Sequence, residues 1–524
     1  MISQRTHRIG GITISWIAIF VQVLVSLFFV PFFLKSVGDK QYGLYSFSTS
    51  LIAWLDALMI AVSTAYYKFL TREKSISGKK GEAAACGVFF KIFIVISILV
   101  LVGGLLFDLL LFLNIVPLSE YTTIEKNQIC VIILMSLIST TFSTLLTTSK
   151  SYPYYKGKYI LIYSASLLQI LVQVSVSFFL LKIGLGVVYV AAAHFGSAVL
   201  ITAILSLISK YRFKQEIIVK PENESDKKNR KKLAKEIIVF SSFVIINTVV
   251  DLLNKSLDKT LLGFYNAYSV ANYQLAYSLP SYLMSFTSAI TVVFAQKINE
   301  TFYGPNGLEG TKNLFLRVSK IQTFVTFLLV GGFVVCGKEF ITLWLDNTRM
   351  QVYYVACSLM ITYSLTCSNG VANAVRRLQN KHIKASLIYL FIAVSNVGTS
   401  ILFINLLGKE NAIWGCVLGT VVTYLIGHYV IMQIYDSKSV GLDITKFFIS
   451  FVMFGVVAFI SGVAAGRAVE LFAFKNAIVC LLLKAIFFTL LFSTLLFFVD
   501  SDIKKAAKTL ANKLFAKKGK QNQQ

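Results

Sequence analysis

Four charges in a short stretch, Asp251, Lys255, Asp258 and Lys259, lie inside an otherwise apolar run. Spacings of four, three and one residues put them on one stripe if the run is helical. Asp251 with Lys255, and Lys255 with Asp258, can then pair along the helix. A charge inside a membrane span costs about 2.5–3.5 kcal/mol on insertion scales, so it usually faces a cavity or a partner. The stripe reads either as a cleft wall whose Lys255 and Lys259 meet an anionic substrate, or as an internally paired span end. Asp56 sits in another apolar run with no Lys or Arg one turn away. It is either a cavity-lining, ion-coupling carboxylate or a neutral, hydrogen-bonded acid. Lys68 and Lys91 either snorkel from span ends or line a basic mouth with Arg72, Arg376 and Arg377, which would suit a diphosphate. Lys484 marks a groove or snorkels.

Other chemistry is weakly encoded. His194 and His428 are structural or form a proton relay. Tyr265, Tyr268, Tyr273, Tyr277 and Tyr282 form an interfacial belt or a sugar-stacking surface. Asp500-Ser501-Asp502 has the form of a DxD, but N-capping explains it better. No Walker A, HExxH or GxSxG in a strand–helix context is present. This argues against an ATPase and against an enzyme. Cys86, Cys130, Cys336, Cys357, Cys367, Cys416 and Cys480 form no CxxC pair and no metal-spaced Cys/His cluster.

The elements that must position these residues are membrane spans. Hydrophobic residues make up 56% of the 524 and charged ones 14%, against about a quarter charged in soluble domains. Mean hydropathy is +0.72. A span needs about 20 apolar residues. The sequence predicts fourteen, near 11–34, 44–69, 87–113, 128–148, 159–181, 184–209, 237–262, 268–296, 318–342, 351–375, 385–407, 412–434, 447–466 and 475–498. The net charge of +26 first suggests nucleic acid. Most of the Lys and Arg, however, fall in alternate loops that would share one side, which is the positive-inside pattern and argues for no nucleic acid. An even span number places both termini in the cytoplasm.

The basic loop 210–236 divides two similar parts. Lys156-Gly157-Lys158, a span and Ile183-Gly184 recur as Asn380-Lys381, a span and Leu407-Gly408, while Gly43-Leu44-Tyr45-Ser46 resembles Ala271-Asn272-Tyr273-Gln274. The expected architecture is therefore all-α: an N-lobe over 1–209 (spans 1–6), a basic linker over 210–236, and a C-lobe over 237–434 (spans 7–12). Spans 13–14 follow over 435–499. A pseudo-twofold along the membrane normal would relate the lobes. In the tail, 500–524, Ile503, Ala506, Ala507, Leu510, Leu514 and Phe515 fall at helical spacing among lysines. This predicts a basic amphipathic helix on anionic inner-leaflet lipids, with a solvated, frayed tail as the alternative.

The ordered features Pro31, Gly38, Tyr42-Gly43-Leu44-Tyr45, Trp54 and Leu55-Asp56 resemble the oligosaccharide flippases of the multidrug/oligosaccharidyl-lipid/polysaccharide exporter superfamily. So do Asp258-Lys259-Thr260-Leu261-Leu262-Gly263, Tyr273, Leu343-Trp344-Leu345, Asn380-Lys381, Asn396, Gly408 and Gly419-Thr420. Asp56-Ala57-Leu58-Met59 departs from the Gly that the family often has there. The resemblance spans most of 10–435. It implies two helical lobes around an alternately opening cleft, and an undecaprenyl-pyrophosphate-linked oligosaccharide as substrate. In fourteen-span members the last pair can form a lipid-tail groove. It also implies work beside a polysaccharide polymerase in capsule, exopolysaccharide or O-antigen assembly. No cofactor is expected beyond a proton or sodium gradient. The competing readings are a cation antiporter of the multidrug-extrusion type, an integral-membrane polysaccharide polymerase, and a scaffold or scramblase without directionality.

Overall fold

The computed structural model describes residues 2–116, 118, 120–305, 307–379, 381–472, 476–500 and 504. At 2–16, 19, 57, 58, 243, 255, 295 and 296 it describes the backbone alone. The amphipathic tail expected over 503–515 lies outside the described residues, except Lys504.

The described chain is helical. Its long elements are α1 (Ile2–Val37), α2 (Asp39–Phe112), α3 (Thr123–Leu145), α4 (Tyr159–Lys182), α5 (Val187–Tyr211), α6 (Glu224–Tyr265) and α7 (Ala267–Tyr303). Then follow α8 (Gly307–Trp344), α9 (Met350–Ser368), the short α10 (Gly370–Leu378), α11 (His382–Leu407), α12 (Ala412–Ile426), α13 (Ile444–Glu470) and α14 (Ala477–Val499). Among the described residues, twelve helices are long and apolar enough to cross a membrane, and thirteen with the pair in α7 that bends by 45°.

The difference from fourteen lies in α2. Its 74 residues would reach roughly 110 Å if straight, far beyond a bilayer core of about 30 Å. Yet the rings of Tyr66 and Phe89 are 5.1 Å apart, and the Tyr66 hydroxyl lies 3.7 Å from Cys86 Sγ. The chain therefore turns back on itself between them. The turn is at Ser77 and Gly78, where Gly78 adopts φ 61 and ψ −145, a region that only glycine enters cheaply. The two arms are the expected spans 44–69 and 87–113. Gly184 and Gly408, matched in the expected repeat, both have φ +85 at helix ends.

The chain forms two compact units. The first is Met1–Gln274 with Ser386–Gly419. In it α2 packs on α3 and α6, α1 on α4, and α5 on α3 and α4. Its core, on either side of the turn in α2, joins Tyr66, Phe69, Phe89 and Phe93 to Leu233 and Ile237 of α6. A capping box starts α3: the Thr122 hydroxyl accepts from Glu125 N–H, and Glu125 accepts from Thr122 N–H.

The second unit is Leu275–Ala385 with Thr420–Gln524. Here α8 is the hub for α9, α13 and α14. Phe488 sits against Gly331, and Phe327 against Gly455. Small residues let helices approach closely in a membrane, where packing replaces the hydrophobic effect. Phe324 stacks on Phe492 at 5.7 Å. Ion pairs pin α14 to α8 near both of its ends: Lys484 Nζ is 2.7 Å from Glu339 Oε1, and Lys320 Nζ 2.9 Å from Asp500 Oδ2. The last two spans are thus built into this unit, and Asp500 is claimed by Lys320. Lys484→Ala is expected to lower stability by about 2 kcal/mol, because it strands Glu339 in apolar surroundings. The double change Lys484→Met with Glu339→Gln should restore most of it in a detergent unfolding titration.

Candidate functional site

The helix that carries the charged stripe, α6, packs along the first arm of α2. Gly43 lies so close to Ala267 that a Cβ would stand 1.9 Å from its carbonyl oxygen, and Gly263 is covered by Phe47. The hydroxyls of Ser50 and Thr260 are 3.1 Å apart, and the Trp54 indole N–H points to Thr260 Oγ1 at 3.4 Å. At the other end the rings of Phe69 and Phe240 are 5.9 Å apart, and Arg72 Nη1 is 2.6 Å from Glu236 Oε2. These pairs keep one antiparallel register over the whole seam. That register sets Asp56 level with Leu253 and Asn254, in the middle of the span. Asn254 Oδ1 is buried and has no hydrogen-bond partner among the described residues.

Asp56 is better supplied than its neighbours in sequence suggest. The Thr140 hydroxyl hydrogen-bonds to it, and the Lys150 ammonium acts on it electrostatically. Lys150 is half-buried, with Nζ 4.0 Å from Met59 Sδ. Asp56, Thr140 and Lys150 therefore form a polar node within the first unit, beside the α2–α6 seam.

The stripe on α6 does not act as one set. Asp258 is buried and accepts a hydrogen bond from the Tyr273 hydroxyl. Asp251 is exposed and Lys259 half-buried. The side chain of Lys255 lies outside the described residues. Tyr273 and Tyr277 are buried and so are no interfacial belt, whereas Tyr268 is half exposed.

Lys68 is exposed and sits 4.3 Å from the centre of the Phe240 ring, a cation–π contact. Lys91 and Arg377 are exposed. Arg376, in the second unit, is enclosed instead. Its guanidinium donates to Asp436 through Nε at 2.7 Å and Nη2 at 3.0 Å, and to Asn373 Oδ1 through Nη1 at 2.7 Å. The side chains of Arg376 and Asp436 are 3% and 0% exposed, so this cation is matched by its own unit. His194 shares a 2.9 Å hydrogen bond with Tyr45, and His428 is buried and stacked on Tyr424 at 4.3 Å. Among the described residues no group of three His, Cys, Asp or Glu could hold a metal.

Lys150, Glu236, Glu339 and Asp436 were not singled out in the sequence. Each is a charge at the edge of, or inside, an apolar run. That signal is visible in sequence, but their partners lie from 60 to 164 residues away or on another helix.

The second unit holds a groove of about 750 Å³ between the segment 427–440 and α13. Val430, Ile434, Ile444, Phe448, Ile449, Val452 and Met453 give it apolar walls, and Gln433, Ser437 and Thr445 supply polar edges. Two π-helical turns, Gly427–Ile431 and Asp436–Val440, form one wall. Such turns are rare and often mark functional positions.

A family described as polysaccharide biosynthesis protein matches residues 9–294. No curated protein matches the sequence. Solved structures match throughout. The lipid II flippase MurJ in an inward closed conformation aligns at 15% identity over 92% of this chain and 98% of its own, with a TM-score of 0.67. An inward-facing multidrug resistance MATE family transporter of the MOP superfamily aligns at 14% identity over 79% of this chain and 96% of its own, with a TM-score of 0.57. Its outward-facing counterpart aligns at 16% identity over 83% and 97%, with a TM-score of 0.53. At these identities the likeness establishes the fold.

Proposed function

The chain belongs to the polysaccharide biosynthesis protein family, and from that premise we propose that it is a flippase for undecaprenyl-pyrophosphate-linked oligosaccharide repeat units. It carries them outward across the cytoplasmic membrane by alternating access, for capsule, exopolysaccharide or O-antigen assembly. Both termini lie in the cytoplasm, and a polymerase takes the product on the far side. The observation that carries the reading beyond the family is the apolar groove of about 750 Å³ beside the π-helical turns. A carrier with a polyprenyl tail needs such a surface; a small soluble cation does not.

In this reading Lys255 and Lys259 meet the pyrophosphate or acidic sugars, and Asp56, with Lys150 and Thr140, couples transport to a proton or sodium gradient. A hydrogen bond to a charged partner contributes about 1.5–3 kcal/mol. Lys255→Ala with Lys259→Ala is therefore expected to cut polysaccharide assembly by about tenfold or more; wild-type output would remove the contact. Asp56→Asn is expected to abolish the dependence of transport on the gradient, and an unchanged pH and sodium profile would rule the coupling role out. Deleting the gene should leave lipid-linked oligosaccharide on the cytoplasmic leaflet. Outward accumulation would point to the polymerase reading instead. The MATE-like fold keeps one other reading open, a multidrug-extrusion-type antiporter, which ethidium efflux by the same strain tests.

A further inference from the structure

The basic linker is not a free loop. Its first part is strapped to the second arm of α2 and to the segment after α3: Ile218 N–H donates to Ala83 O at 3.1 Å, and Gln215 Nε2 to Thr148 O at 3.1 Å. Its second part is already helix, because α6 begins at Glu224, where Asn223 caps it by accepting from Asp226 N–H. The same helix runs on without a break into the apolar span.

This first stretch of α6 has two unlike sides. Leu233 and Ile237 are buried in the core under α2, and Arg230 turns the same way, reaching Ile218 O. Lys227, Lys228, Lys231, Lys232 and Lys235 fall within an arc of roughly 140° on the other side, and all five are exposed. The nearby acids are mostly used elsewhere: Glu222 pairs with Lys80, Glu224 with Lys227, Asp226 with Arg230, and Glu236 with Arg72. Among the described residues, Lys228, Lys231, Lys232 and Lys235 make no ion pair. At 1.5 Å per residue they stand about 3–14 Å beyond Ile237 along the axis. That is the depth of the headgroup layer and the water just outside it.

We propose that this lysine face is a binding surface for anionic phospholipid headgroups of the bilayer that α6 enters. The occupant follows from charge and from position. Four uncompensated ammonium groups on one side of a helix continuous with a span meet phosphate where the bilayer presents it. The face is separate from the α2–α6 seam, so its occupation is read without transport.

The test titrates phosphatidylglycerol, and phosphatidylcholine as control, into the detergent-solubilised full chain, with bound lipid read by native mass spectrometry. One lysine near an anionic surface is worth roughly a factor of five. K228Q/K231Q/K232Q/K235Q is therefore expected to weaken phosphatidylglycerol binding at least about tenfold, while phosphatidylcholine binding is unchanged. The arginine quadruple K228R/K231R/K232R/K235R should bind as the wild type does. Raising salt from about 0.1 M to about 1 M should release phosphatidylglycerol from the wild type, because screening tightens to about 3 Å. The proposal is overturned if the glutamine variant binds phosphatidylglycerol as tightly as the wild type, or if wild-type binding is indifferent to salt.

Discussion

Arg376→Leu is expected to destabilise the protein by roughly 3–5 kcal/mol, the cost of leaving one charge of a buried pair without its partner. Asp436 is fully enclosed and accepts from two of the three guanidinium nitrogens. Removing the arginine strands a carboxylate in the second unit, beside the π-helical turn that begins at Asp436. The groove shares that turn, so its shape should suffer as well. The double change Arg376→Leu with Asp436→Leu removes both charges and should recover most of the loss, since apolar replacements of buried pairs are often tolerated. Unfolding midpoints of the wild type and the two purified variants in detergent decide it. If Arg376→Leu unfolds with the wild type, the pair is not what holds this end of the groove.

The second large effect is expected at Gly43. A Cβ there would stand 1.9 Å from Ala267 O and 2.7 Å from Ala267 C. The obstacle is backbone, so no rotamer change relieves it, and α2 must move away from the start of α7. Overpacking of this kind costs about 1–3 kcal/mol and sometimes more. The contacts one and two turns along, Phe47 with Gly263 and Ser50 with Thr260, should loosen with it. Gly43→Val is accordingly expected to lower both the unfolding midpoint and polysaccharide output. A disulfide-trapping pair placed at Ser50 and Thr260 should form more slowly in that variant. Unchanged output and unchanged trapping would show that the seam does not depend on this approach.

Much of the fold was legible because a membrane imposes a length on every apolar run. The expected stretches are helical over nearly all of their described residues, and the gap left between the second and third, 70–86, holds the turn at Ser77 and Gly78. Helix starts were less legible. Span seven was expected from 237, but α6 begins at Glu224, since hydropathy cannot distinguish a lysine-rich helix from a loop. The charges themselves were easy to find, and their partners were not. Spacing alone placed Asp251, Lys255, Asp258 and Lys259 on one stripe, whereas the Tyr273 hydroxyl draws Asp258 into the packing of α6 and α7. Arg376 looked like a free cation at a mouth because Asp436 lies 60 residues further on. Asp56 looked isolated because the groups that act on it, Thr140 and Lys150, lie far along the chain. A pairing across helices is a tertiary fact, and one chain read without its fold carries no trace of it.

The account stands or falls on movement of a lipid-linked sugar. The direct measurement uses the purified full chain in liposomes loaded with a polyprenyl-pyrophosphate oligosaccharide, with the fraction accessible to a lectin or glycosidase outside followed over time. The account predicts that accessibility rises faster in proteoliposomes than in protein-free vesicles, and that Lys255→Ala with Lys259→Ala slows the rise. Accessibility that stays at the protein-free rate, while the same vesicles exchange a soluble cation such as ethidium, would contradict it.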